Sequence, residues 1–160
     1  MPEARARPAT LEVMNASKVI GEVERQCRAQ GLRLTATRRR VLEMILAADG
    51  PVKAYDLLDE LKRERPGAAP PTVYRALDFL LENHFIHRLE TLNAFVSCIH
   101  PDHQHQGQFL ICERCQTVTE VHDHSLIQAL DDAARDHGFR TRHQVLEIYG
   151  RCKTCLDAGG

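Results

Sequence analysis

Two cysteine pairs, Cys112-x-x-Cys115 and Cys152-x-x-Cys155, are the residues of this 160-residue chain whose type and spacing point most directly to chemistry. A two-residue spacer lets two thiolates converge on one ion from a tight turn, and two such turns supply the tetrahedral four-sulfur set that zinc favours in closed structural sites. The 36 residues between the pairs exceed a simple zinc-ribbon spacing and fit a strand, a helix and a strand folded between the turns. Otherwise the pairs are unrelated turns with buried thiols, or redox pairs, although neither has a thioredoxin-like βαβ context.

The other metal-capable side chains are His87, Cys98, His100, His103, His105, Glu120, His122, His124 and His143. His84 and His137 read as solvated or satisfied histidines. His87 and Cys98 stand apart because they fall on the two strands of an expected hairpin near a domain boundary. A ligand set drawn from that hairpin, the His-rich loop and the second module would tie two domains together.

Charge divides the same way. Residues 1–90 hold 15 Lys+Arg and 13 Asp+Glu, a net of +2, while residues 91–160 hold 6 and 9, a net of −3, with seven of the nine His and five of the six Cys. A basic first part and an acidic part rich in thiols and imidazoles suggest one module for a polyanion and one for a metal. With 43% hydrophobic and 27% charged residues, the composition excludes a wholly disordered chain, a fibre or a membrane protein. No apolar stretch approaches the roughly 20 residues of a spanning helix and no signal core opens the chain, so a cytoplasmic protein with no membrane partner is expected. In that reducing compartment six cysteines read as ligands or free thiols, not disulfides.

These residues need elements to hold them. After an arm over residues 1–16, Val19, Ile20, Val23 and Cys27 recur at helical spacing and Gly31 stops the run. Thr35 can cap a second helix carrying Arg38, Arg39 and Arg40, which read either as phosphate contacts or as a solvated face. Leu57, Leu58 and Leu61 mark a third helix from Ala54 to about Arg63. Thr72–Asn83 forms a fourth, with Val73, Ala76, Leu77, Leu80 and Leu81 inward and Tyr74, Arg75 and Asp78 outward. Phe85–Leu89 and Ala94–Cys98 follow as two strands around a turn. Four helices and a hairpin make the pattern of a winged helix-turn-helix over residues 17–98, its last helix the reader. A polar His-rich loop, residues 99–107, leads to a small α/β unit over residues 108–160. Its strands are Gln108–Cys112, Thr117–Val121 and Val145–Tyr149, and its helix is Ser125–His137. So small a unit buries little surface, so a metal staple and oligomerisation are its expected sources of stability.

Arg33-Leu34-Thr35-Ala36-Thr37-Arg38, Ala54-Tyr55-Asp56-Leu57-Leu58, Pro71-Thr72-Val73-Tyr74-Arg75-Ala76-Leu77, Phe109-Leu110-Ile111-Cys112-x-x-Cys115 and Tyr149-Gly150-x-Cys152-x-x-Cys155 together resemble the ferric uptake regulator family of bacterial metalloregulators. The resemblance spans roughly residues 17–155, and Pro70–Leu80 with the placement of Cys98 is most similar to its zinc-sensing branch. It implies a homodimer whose chains each join an N-terminal winged helix to a C-terminal α/β dimerisation domain, with structural zinc on the paired cysteines. It also implies a regulatory zinc on His87, Cys98, His105 and Glu120, with His103 as an alternative to His105. His100, His122, His124 and His143 leave room for a third metal. For the operator, a double-stranded palindrome, it implies contacts from Tyr55, Thr72, Tyr74 and Arg75, although the Tyr74 ring could instead pack inward. A long cation at Arg75 can reach guanine O6/N7 or a phosphate.

The expected function is therefore a zinc-responsive repressor of zinc-uptake genes, with two zinc ions per chain, no enzyme activity and no small-molecule substrate. Its rivals are an iron or peroxide sensor of the same family, a zinc-stapled adaptor, and a zinc hydrolase or deaminase. The deaminase signature is missing, since Ile111 and Arg151, not proline, precede the two cysteine pairs.

Overall fold

The computed structural model describes residues 9–98, 107–142 and 144–159, with side chains from residue 16 onward. The chain divides into two compact units, residues 1–103 and 104–160.

In the first unit, α1 (Ala9–Ala29), α2 (Ala36–Ala47), α3 (Ala54–Glu64) and α4 (Pro70–Glu82) precede β1 (Ile86–Leu89) and β2 (Ala94–Ser97). Val19, Ile20, Val23 and Cys27 of α1 are all buried, as their spacing requires. The helix ends where Gly31 takes a φ of 67°, which costs glycine nothing. Around it the Leu32 N–H donates to the Cys27 carbonyl at 2.8 Å and the Gly31 N–H to that of Arg28 at 3.3 Å, satisfying two orphan carbonyls. α1 begins at Ala9, inside the segment expected to be an arm. The apolar period opens only at Val19, and before it stand residue types that favour helix, Ala9, Leu11, Glu12 and Met14.

The Thr35 hydroxyl accepts the Arg38 N–H at 3.3 Å and so caps α2. α4 starts two residues before Thr72, because Pro70 and Pro71 fill the first helical positions, where a missing N–H costs nothing. Val41, Leu42, Ile45, Leu57, Leu61, Val73, Leu77, Leu80, Phe85 and Phe95 share one buried cluster. Truncating a fully buried leucine such as Leu77 to alanine costs about 2–5 kcal/mol. β1 and β2 pair antiparallel, from Ile86 opposite Ser97 to Leu89 opposite Ala94. Val52, between α2 and α3, adds a one-residue third strand, exchanging bonds of 2.9 and 2.8 Å with Phe95. This is a winged helix-turn-helix.

The second unit contains β3 (Gly107–Cys112), β4 (Val118–Glu120), α5 (His124–Asp136), β5 (Val145–Gly150) and α6 (Lys153–Asp157). The sheet order is β4-β3-β5, with β4 antiparallel and β5 parallel to β3. Parallel neighbours need a crossover, which here is β4 and α5. The Asp123 carboxylate caps α5 by accepting the Ser125 and Leu126 amides, and Gly138, with φ 72°, ends it. Phe109 and Ile111 face one side of the central strand and are buried, whereas Leu110 and its register partner Ile148 stay exposed. The short α6 was not expected, because five residues are too few for an apolar period to show.

Candidate metal centre and nucleic-acid interface

The register of β3 and β5 sets Cys112 opposite Gly150, so both strands deliver their following turns to the same end of the sheet. Cys112 closes β3, and its N–H donates to the Thr117 carbonyl at 3.0 Å across the first turn. Cys152 is the N-cap of α6 and Cys155 lies within that helix. The four sulfurs all lie within 4.8 Å of one another. Cys115 Sγ and Cys152 Sγ are 3.7 Å apart. Zinc–sulfur bonds of about 2.3 Å in a tetrahedron put ligand sulfurs about 3.8 Å apart, so this edge already has a ligand's dimension.

The thiols titrate far apart. Amide donors from Cys152 and Cys115 hold Cys112 down at about 6; one of them, the Cys152 N–H, lies 3.4 Å from the Cys112 sulfur. The Thr117 hydroxyl, 3.1 Å from Cys115 Sγ, lowers that thiol too. Burial first, then the three neighbouring sulfurs, pushes Cys155 up to about 12. Four thiolates this close repel one another, and a divalent cation among them removes that conflict. The donor set therefore fits a thiophilic ion such as zinc.

Within the first unit, His87 lies on β1 opposite Val96, and Cys98 follows β2 with no exposed surface. A His87 ring nitrogen and the Cys98 sulfur lie within 4.8 Å. In the second unit, Glu120 ends β4 opposite Phe109, with Oε1 3.8 Å from His122 Nε2. His124 opens α5. His100, His103, His105 and His143 lie outside the described residues.

On the first unit, Tyr55 of α3 is 70% exposed and Tyr74 of α4 is 54% exposed, so the Tyr74 ring does not pack inward. Thr72 is half-buried. Arg75 is exposed, and none of the described carboxylates pairs with it. The arginine run of α2 is different, since each member fastens a different helix. Arg38 lies 3.7 Å over the Phe79 ring of α4. Arg39 pairs with Glu24 of α1 as well as Glu43. Arg40 pairs with Glu64 of α3. All three stay in part exposed to solvent, Arg39 most, so these are contacts on a solvated face.

Sequence reasoning missed two residues around the cysteines. Thr117 was readable as a hydroxyl two positions after a CxxC. Arg114 left no signal, since its partners are backbone carbonyls more than 40 residues away.

Comparison with known proteins places this geometry. The chain is 38% identical over 148 residues to the zinc uptake regulation protein of Escherichia coli (strain K12), covering 92% of this chain and 86% of that one. It is 30% identical to the peroxide operon regulator of Bacillus subtilis (strain 168), covering 78% and 85%. A solved zinc uptake regulator in complex with zinc and DNA matches with a TM-score of 0.85 and 39% identity over 89% of this chain and 96% of that one. Holo XcZur matches with a TM-score of 0.81 and 48% identity, covering 88% and 98%. Residues 29–149 match the Ferric uptake regulator family, and with the winged helix and clustered thiols in place the chain belongs to that family.

Proposed function

We propose that this chain is a zinc-responsive, DNA-binding repressor of zinc-uptake genes that works in the cytoplasm as a homodimer on a palindromic operator. The observation that carries the zinc assignment is the buried Cys98 thiol beside His87, because a thiolate in the sensing set favours zinc over the oxygen- and nitrogen-rich sites suited to iron. The greater likeness to zinc uptake regulators than to the peroxide regulator supports the same branch.

Two zinc ions serve each chain in this reading. Cys112, Cys115, Cys152 and Cys155 hold a structural ion that staples the second unit. His87, Cys98, His105 and Glu120 hold a regulatory ion, with His103 as the alternative imidazole. Zinc acts by differential affinity: the conformer that presents all four donors together binds the ion more tightly and is populated as zinc rises. That conformer is also the one with the DNA-competent spacing, so repression follows zinc. Tyr55, Thr72, Tyr74 and Arg75 form the DNA surface, supported by the exposure of both tyrosines and by an Arg75 guanidinium that no described carboxylate pairs. The exposed apolar pair Leu110 and Ile148 supports a second copy packing on the second unit. Membership of a regulator family and the missing deaminase signature both stand against a hydrolase.

The test combines metal analysis after mild chelation with binding to DNA from upstream of zinc-transport genes. Retention of one zinc per chain, with DNA binding restored by a second equivalent, is the expected result. Restoration by iron and not by zinc would turn the reading to the iron-sensing rival.

A further inference from the structure

The turn between Cys112 and Cys115 does more than present two thiols. Arg114, inside it, reaches to the other pair: its Nη1 donates to the carbonyl of Cys155 at 3.2 Å and to that of Gly159 at 3.0 Å. At the end of the five-residue α6 the Ala158 and Gly159 amides take the Thr154 and Leu156 carbonyls, while the Cys155 carbonyl is taken by Arg114. That same helix carries Cys155, and Cys152 forms its N-cap. A cation from 41 and 45 residues away in sequence thus caps the C-terminal end of the element that presents the second thiol pair.

We infer that Arg114 is a positioning residue for the metal centre: without touching the ion, it fastens the second cysteine turn to the first, so that the four sulfurs keep their spacing and the ion is retained. The inference rests on the reading of the four cysteines as a structural zinc site. Geometry and charge predict different things of it. Zinc with four thiolates carries a net charge of −2, which any nearby cation would favour. Both bonds come from the single nitrogen Nη1 at the tip of the arginine, a point that a lysine ammonium stops about one bond short of.

The experiment is release of zinc from the zinc-loaded, full-length dimer into a chromogenic chelator, comparing wild type with Arg114→Met and Arg114→Lys. Losing two charge-assisted hydrogen bonds should speed release by about tenfold or more in the methionine variant, with lysine recovering only part of the loss. Cobalt(II) bound in place of zinc should show altered d–d bands in the methionine variant, and the Leu156 and Ala158 amides should exchange faster with solvent. Release from the methionine variant at the wild-type rate would overturn the inference. Full recovery by lysine would overturn it as well, leaving charge alone. Should the methionine variant not fold, Arg114→Gln takes its place: faster release supports the inference and an unchanged rate overturns it. A wild-type chain that holds no chelation-resistant zinc would bring down the zinc reading itself, an outcome the wild-type arm distinguishes.

Discussion

Arg40 of α2 sets its Nε 2.9 Å from one carboxylate oxygen of Glu64 and 3.0 Å from the other, at the far end of α3. With Arg39 on Glu24 of α1 and Arg38 on the Phe79 ring of α4, the most basic run in the chain contacts all three neighbouring helices, across a surface beside their shared apolar core. Arg75 carries the same charge with none of these partners. The position of a guanidinium, more than its presence, separates scaffold from proposed DNA surface here.

Replacing Arg40 by methionine should lower thermal stability while leaving zinc content and operator affinity unchanged. The Arg40 guanidinium beside Glu64 holds that carboxyl below its ordinary value. A depressed carboxyl pKa stabilises the folded state above the unfolded value, and this contribution is lost as pH falls through the folded one, below about pH 4. Melting curves from pH 7 to pH 3 should therefore fall less steeply in the variant. An operator affinity that drops at constant fold would instead make Arg40 a DNA contact.

Replacing Arg75 by alanine should leave both zinc sites filled and weaken DNA binding. A bidentate base contact predicts a loss of about 1–3 kcal/mol and relaxed preference at one position per half-site. A phosphate contact predicts a uniform loss across sequences and a salt slope reduced by about one for each contact. Titrations of operator and scrambled DNA at several salt concentrations separate the two, and unaltered affinity on both would remove Arg75 from the surface.

Cys112→Ser should lose tightly held zinc and dimerise poorly, because structural zinc in small domains contributes apparent folding energies of about 10–16 kcal/mol near neutral pH. Gel filtration with metal analysis reads both effects. A stable dimer that still contains the chelation-resistant zinc would refute the four-cysteine assignment.

Cys98→Ser should keep fold, dimer and one zinc per chain, and lose the second equivalent together with zinc-dependent DNA binding. Zinc activation identical to wild type would reduce Cys98 to a buried thiol.

Both units were legible in outline because their elements carry periods. Val19, Ile20, Val23 and Cys27 recur at helical spacing, and all four are buried. The paired cysteines were legible because their spacing alone encodes a turn. Val52 was not, since a one-residue strand has no period and exists only through its bonds to Phe95. The same limit hid Arg39 on Glu24, Arg40 on Glu64 and Arg114 on α6, where the partners lie 15 to 45 residues away and only the tertiary fold brings them close. Tyr74 was legible, because the period of α4 sets it outward with Arg75 and Asp78, and all three are exposed.

The parallel pairing of β3 with β5 governs how the site can come into being. No local turn unites the two cysteine pairs, so four-sulfur capture by the unfolded chain must first close a loop of 36 residues, an entropic toll that folded sheet has already met. On the proposed zinc reading, capture of the ion and docking of the crossover are therefore coupled, and a newly made chain completes neither without the other. Zinc scarcity should accordingly show as slow maturation of new molecules well before it strips old ones.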